Sequence, residues 1–337
     1  PSQSSAASDV YKRQGIQSAG GAGMALAQWM QDKEKPFDLG DVDISRMQPF
    51  QGNKKYLFER SKETLGLLYA DHFPFRQKES ARGVRRTPFH EHLKSKGAVF
   101  GEVAGWERAN WFSNNGQSDE YRYSWKRQNW FENSAREHMA VRENVGLYDM
   151  STFGKIRVEG KDAESFLNYL CGANLSVDIG KIVYTQFLNS KGGIEADVTV
   201  TRLSETTYLI VTPAATRLAD ETWLRRNQKD YSVVITDVTA AEGVLALMGP
   251  ASRALLNSVS PNNFESETNP FGTAQLIEIG MGQARAHRVS YVGELGWELY
   301  ISSDQCGHIF ETIFDAGSDH NLKSVSYTHL TLPTIAK

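Results

Sequence analysis

The sequence predicts an α+β domain of antiparallel strands and short helices rather than a βαβ repeat. Three stretches carry that reading. Residues 184–203, YTQFLNSKGGIEADVTVTRL, read as a hairpin. In its outgoing strand Ile194, Ala196, Val198 and Val200 alternate with Glu195, Asp197, Thr199 and Thr201. That period of two puts apolar residues on one face and polar residues on the other. Gly192 and Gly193, in the turn NSKGG, supply the positive φ angles of a tight hairpin. Residues 243–248, GVLALM, are a continuous apolar run broken by Gly249-Pro250, the pattern of a buried strand. Residues 276–302 hold two more strands, LIEIG and ARAHRVSYVGELGWELYIS. A last amphipathic helix follows, capped by Ser303, with Ile309, Phe310, Ile313 and Phe314 inward and Gly317 at its end.

The remaining elements follow in order. Residues 15–23, GIQSAGGAG, read as a Gly-rich loop running into a helix, MALAQWMQDKEK, with Met24, Ala27 and Met30 at helical spacing. A loop of this kind presents free N–H groups at the positive end of the helix dipole and suits a phosphate or the electron-rich edge of a cofactor. It is not GxGxxG and no strand before it is visible, so a plain helix-packing turn is the preferred reading from the residues alone. Residues 37–60 form a charged connection. A short helix, SKETLGLLYADH, and a basic stretch with Arg82, Arg85 and Arg86 come next, the latter an anion site or a solvated loop. Trp106 and Trp111 in FGEVAGWERANWF suggest an aromatic wall or an inter-domain contact. Residues 113–125 read as a linker. Ser134 and Glu137 fit a capping box at the start of a helix that Gly146 stops. Beyond it, strands at 155–158, 207–212 and 233–238 alternate with helices at 162–170, 219–226 and from 252 onward.

The chain has 337 residues, long enough for two or three domains and a sizeable core. A net charge of −3, from 37 basic and 40 acidic residues, gives no footprint for nucleic acid or a membrane surface. Cys171 and Cys306 make neither a metal spacing nor a disulfide framework, which fits a reducing compartment. There is no apolar run of about 18 residues to span a membrane, and no signal peptide is visible. Residues 1–14 and 324–337 differ in character from the rest and are expected to be non-native read-through, so that the parent protein extends in both directions.

Asp197 is the residue that calls for explanation. Asp is disfavoured inside strands. It sits on the polar face of the hairpin, away from the turn, and is either part of a solvated outer face or a carboxylate projecting into a pocket.

Four ordered stretches, GLYDMSTFGKIRVEG, YTQFLNSKGGIEADVTVTRL, VLALMGPASRALL and VSYVGELGWELYI, resemble the folate-binding domain of the glycine-cleavage T-protein, an aminomethyltransferase. Upstream, GIQSAGGAG, ARGVRRTPFHEHL and FGEVAGWERANWF resemble the flavin-domain tail and central segment of dimethylglycine and sarcosine dehydrogenases. The resemblance covers roughly residues 15–323. It implies a flavin-domain tail at 15–45, a central segment and linker at 46–125, and a T-protein-like domain at 126–323. It also implies an activity. FAD oxidises an N-methyl amine such as sarcosine or dimethylglycine, and the folate domain captures the one-carbon unit on tetrahydrofolate as 5,10-methylenetetrahydrofolate. An electron-transfer protein is an implied partner, and the implied location is the cytoplasm, or the mitochondrial matrix in a eukaryote. The family's pocket carboxylate falls on Asp197; the acid that precedes it in the T-protein is Ala196 here. Tyr184, Tyr291 and Glu298 match folate-pocket positions, Glu298 as the acid that holds the amino edge of the pterin. The alternative for Glu298 is an exposed strand position and for Glu294 a turn residue; function is favoured for Glu298 only. Pro213 replaces an asparagine of the T-protein. Ser18, Gly20, Gly21 and Gly23 match the loop that lies against the flavin. Competing readings are a stand-alone aminomethyltransferase, the large subunit of a multimeric sarcosine oxidase, and a non-catalytic folate-binding protein of the same fold.

Overall fold

The computed structural model describes residues 18–33, 35–43, 46–114 and 118–326. Its centre is a pair of sheets packed face to face, with helices on the outer side of each. The upstream part supplies α1 (Ala19–Asp32), α2 (Lys54–Gly66), α3 (His90–Ser95) and the hairpin β1 (Ala98–Val103) and β2 (Trp106–Phe112). Asn53 caps α2 by accepting from the backbone N–H groups of Lys55 and Tyr56. The β1–β2 turn is made by Ala104 and Gly105 at φ 48° and 80°, the left-handed pair that a two-residue hairpin needs.

The main domain runs α4 (Phe131–Glu143), β3 (Val145–Asp149), β4 (Gly154–Glu159), α5 (Ala163–Leu170), β5 (Ile182–Leu188), β6 (Ile194–Arg202) and β7 (Thr207–Thr212). It continues through α6 (Arg217–Asn227), β8 (Val234–Asp237), β9 (Glu242–Met248), α7 (Ser252–Val259), β10 (Ala274–Ile279) and β11 (Gly282–His287). It ends with β12 (Gly296–Ser302), α8 (Cys306–Gly317) and β13 (Leu322–Ser324). One sheet has the order β10-β11-β12-β9-β3-β13 and the other β5-β6-β7-β4-β8. Pairing is antiparallel except between β13 and β3.

Three apolar layers hold this together. Trp297, Leu299 and Ile301 of β12 pack with Leu255 and Leu256 of α7 and Ile309, Phe310 and Ile313 of α8. Ile156, Val158, Val198, Val200 and Ile210 pack with Phe166, Leu167 and Leu170 of α5. Between the sheets, Leu209 and Val211 of β7 meet Tyr148, Val244, Ala246, Met248 and Tyr300.

The expected mixed fold is present, and the 184–203 hairpin forms as β5 and β6. Four local expectations change. Gly20, Gly21 and Gly23 lie inside α1 rather than in a loop before it, and Met24 and Met30 on that helix are exposed. Helix α4 begins at Phe131, so Ser134 and Glu137 are buried within it and form no capping box. The long stretch from 284 breaks into β11 and β12 around a turn at residues 288–295. Residues 324–326, set apart by composition with the tail, lie in the fold. Ser324 is in β13, Val325 is buried and its N–H bonds Leu147 O, and the Ser326 N–H bonds Glu137 Oε2. Residues 1–17 and 327–337 lie outside the described residues.

Candidate functional site

The strand registers decide which side chains share a face, because residues directly opposite across a pair point the same way. Leu209 and Val211 face the other sheet. Thr201 is opposite Leu209 and Thr199 opposite Val211. On β5, Tyr184 is opposite Thr199 and Gln186 opposite Asp197. On β4, Lys155 is opposite Val211 and Arg157 opposite Leu209. The polar face of the hairpin is therefore the inter-sheet side of its sheet, where it runs past the edge of the packed layer into solvent.

There the Tyr184 hydroxyl donates to Asp197 Oδ2 at 2.9 Å, and Gln186 Nε2 donates to Oδ1 at 3.2 Å. The carboxylate beside it raises the Tyr184 phenol, first through this hydrogen bond. Tyr184 is 65 % exposed and Asp197 is exposed too. Both expected residues thus meet, each carboxylate oxygen having one donor.

The opposing sheet carries the second acid. Glu298 on β12 is 3 % exposed, which rules out the exposed-strand reading. Its Oε2 accepts from the Tyr300 hydroxyl at 2.8 Å, and its Oε1 has no hydrogen-bond partner among the described residues. Burial pushes this carboxyl up to about 7, against the opposing pull of the Tyr300 bond and of Lys155. A buried acceptor left open is uncommon. Tyr291, 42 % exposed, lies in the β11–β12 turn with its ring 5.9 Å from Phe153. Its hydroxyl is close enough to Tyr300 to influence that phenol's ionisation. Tyr291, Tyr300 and Glu298 form one group at the inter-sheet layer. Glu294 bonds Arg142 at the surface, as a turn residue does.

Several polar residues of this layer escaped the sequence reading. Lys155 is fully buried, and its Nζ donates to Ser151 O at 2.9 Å and Phe153 O at 3.2 Å. Burial lowers it to about 8. On the other face of its sheet, opposite Leu245, burial likewise raises the Asp149 carboxyl, which accepts from the Thr87 hydroxyl. His287 stands opposite Glu298 on β11, its ring 4.2 Å from that of Tyr300. Their cross-strand neighbours were not readable without the register.

Other expected features lie elsewhere. A cavity of about 700 Å³ sits between the 35–51 segment, the tip of the β5–β6 hairpin and the start of α6; Lys35, Lys191, Glu195, Thr216 and Asp220 line it. None of Tyr184, Asp197, Tyr291 and Glu298 lines that cavity. Pro213 leads into α6, where its carbonyl accepts from the Arg217 N–H. A Cβ placed on Gly20, Gly21 or Gly23 would meet nothing within 4 Å, so these residues and Ser18 form no closed cradle among the described residues. Arg82 pairs with Glu107, Arg86 with Glu91, and the Arg85 guanidinium lies 3.9 Å over the Trp106 ring, so the basic stretch is engaged structurally. No group of metal-ligating side chains exists among the described residues, and no described helix is long and apolar enough to cross a membrane.

Residues 89–332 match the family described as the GCVT N-terminal domain, and residues 34–87 match the FAD dependent oxidoreductase central domain. The 4-methylaminobutanoate oxidase (formaldehyde-forming) of Paenarthrobacter nicotinovorans is 43% identical over 317 residues, 94% of this chain and 38% of that protein. The mitochondrial sarcosine dehydrogenase of Mus musculus is 30% identical over 97% of this chain and 40% of its own length. The mitochondrial dimethylglycine dehydrogenase of Rattus norvegicus is 31% identical over 91% of this chain and 36% of its own length. The chain therefore spans 36% to 40% of these relatives. Among solved structures, the glycine cleavage system aminomethyltransferase T from Bartonella henselae matches with a TM-score of 0.60 at 24% identity, over 74% of this chain and 61% of that one. That likeness shows the fold.

Proposed function

The chain belongs to the GCVT N-terminal domain family, and from that premise we propose that it is the folate-binding part of a flavin-dependent N-methyl amine dehydrogenase. The relatives named as sarcosine and dimethylglycine dehydrogenases, and as 4-methylaminobutanoate oxidase, support this substrate class. The observation that carries the folate reading is the open, buried Oε1 of Glu298. A carboxylate with one buried oxygen free suits an N–H donor from a pterin's amino edge. Tetrahydrofolate, when bound, supplies the nitrogen that takes up the one-carbon unit.

The chain's own residues then divide the work. Glu298 orients the ring from within the inter-sheet layer, with Tyr291 at its margin. Asp197, held by Tyr184 and Gln186, waits at the solvent edge of the facing sheet as the acceptor for a proton released as nitrogen bonds carbon. FAD belongs to the amine-oxidising half of the reaction. An electron-transfer protein is the proposed acceptor partner.

A stand-alone aminomethyltransferase is the alternative, and the match of residues 34–87 to a flavin-oxidoreductase segment favours the fused enzyme. The test is titration of the chain with 5-formyltetrahydrofolate, a stable reduced folate, followed by calorimetry. Saturable binding that weakens about tenfold or more in Glu298→Gln is expected, from the loss of a charge-assisted pair. No saturable binding to the wild-type chain refutes the folate reading.

A further inference from the structure

Glu298 is held by a set of neighbours that the folate reading does not itself use. Among the described side chains, Tyr300 alone donates to it, at 2.8 Å from two residues along the same strand. Tyr300 is fixed in turn. The His287 ring lies on it at 4.2 Å and 32°, and Arg285, opposite Tyr300 on β11, bonds His287 Nε2 through its Nε at 3.1 Å. An arginine only donates, so Nε2 is the acceptor and the imidazole is neutral with its proton on Nδ1. Burial and Arg285 both hold His287 well below the ordinary imidazole range, which keeps it so. The guanidinium charge is absorbed by Glu242, at 3.0 and 3.2 Å. From the facing sheet, Lys155 attracts Glu298, but its Nζ is bonded to the carbonyls of Ser151 and Phe153. Among the described residues, no cation forms a salt bridge with the carboxylate.

We propose that Tyr300 is a positioning residue: its hydroxyl, braced by His287 and Arg285, occupies Oε2 of Glu298, favours the ionised over the neutral acid and leaves Oε1 as the acceptor for an N–H donor of the bound ring. A hydrogen bond given to the charged form of an acid favours that form. The proposal rests on the folate reading for the identity of the ring, and on the geometry alone for the state of Glu298.

The test uses Tyr300→Phe, which removes one oxygen from a packed ring, in the 337-residue chain. Carboxyl carbons are labelled in glutamate and followed by NMR across pH, with Glu298→Gln identifying the Glu298 signal. The Glu298 midpoint is expected to rise by about one pH unit, the worth of one hydrogen bond to a charged group. Binding of 5-formyltetrahydrofolate should fall about fivefold to tenfold near neutral pH and recover about two pH units higher, where the acid ionises without help. A packing role alone predicts an equal loss at both pH values. An unchanged Glu298 midpoint, or a loss of binding independent of pH, overturns the proposal. A shifted midpoint in a chain that binds no folate at any pH supports the role of Tyr300 and refutes the folate reading instead.

Discussion

Glu298→Gln should make the protein more stable above neutral pH while removing its ligand. The carboxyl rises from an ordinary value of 4.5 to about 7 on burial. The difference is about 2.5 pH units, which at about 1.4 kcal/mol each gives about 3 to 4 kcal/mol when the whole window is crossed. The sign follows from which state holds the proton. Between pH 4.5 and 7 the folded protein keeps a proton that the unfolded chain has released, so stability falls as pH rises through that window. Below it both states are protonated and the acid is neutral to stability. Above pH 7 the folded protein carries a buried charge. Glutamine has the same shape, keeps an oxygen for the Tyr300 hydroxyl and does not titrate. Urea unfolding followed by circular dichroism, for both proteins across pH 4.5 to 8, isolates the effect because other groups cancel in the difference. The variant should gain about 2–3 kcal/mol on wild type over that span. Parallel stability curves would show that Glu298 ionises freely in the folded state and would remove the basis for reading it as a strained, functional acid.

The remaining predictions concern the other site residue, the chain end and the thiols. Asp197→Asn should change stability by no more than about 0.5 kcal/mol, since the side chain is exposed. In the complete flavoenzyme it should lower transfer to tetrahydrofolate while leaving flavin reduction by the amine intact; equal loss of both by coupled assay would refute its proton-accepting role. Ending the chain after residue 323 should cost about 2–4 kcal/mol in urea unfolding, because it removes buried Val325 and leaves Glu137 Oε2 without the Ser326 N–H. An unchanged midpoint would return residues 324–326 to the tail. Burial pushes Cys171 up to about 12 and Cys306 to about 11, so neither thiol should react with Ellman's reagent at pH 8 until the protein is unfolded. Rapid labelling of the native chain would contradict those environments.

The hairpin was legible because its signals are local. A period of two and a Gly-Gly turn are read over ten residues, and β6 obeys them from Ala196 to Val200. The capping box at Ser134 failed for the opposite reason. Glu137 is taken by the Phe112 N–H and the Ser326 N–H, 25 and 189 residues away in the chain. No local pattern records such partners. Glu298 was ambiguous for a related cause. Every residue of β12 but Ser302 is buried, one face under helices and the other under a second sheet, so the alternation that marks an exposed face is lost. Only the family resemblance singled the residue out, and only the structure showed that one of its oxygens is unmatched. The Gly-rich stretch misled because glycines permit a loop without requiring one; in α1 they stand on an open helical face.

The three core layers differ in a way that bears on function. The two layers beneath helices hold neutral polar groups that are hydrogen-bonded, Asn269 to the Trp297 indole and Thr185 to the Ala173 N–H, among their aliphatic and aromatic side chains. The layer between the sheets admits Lys155, Glu298 and His287 along with its apolar residues. Stability alone would favour hydrophobic residues of similar volume at such positions. Burial of Lys155 need not mark a site, because two carbonyls satisfy its ammonium group. Glu298 has no such account: one oxygen is matched by Tyr300, the other by nothing, and the acid is held near its midpoint at neutral pH. In the proposed reading, the ligand completes that half-bonded group. The exposed Asp197 on the facing sheet carries no such burden, which is consistent with the proton-accepting role proposed for it.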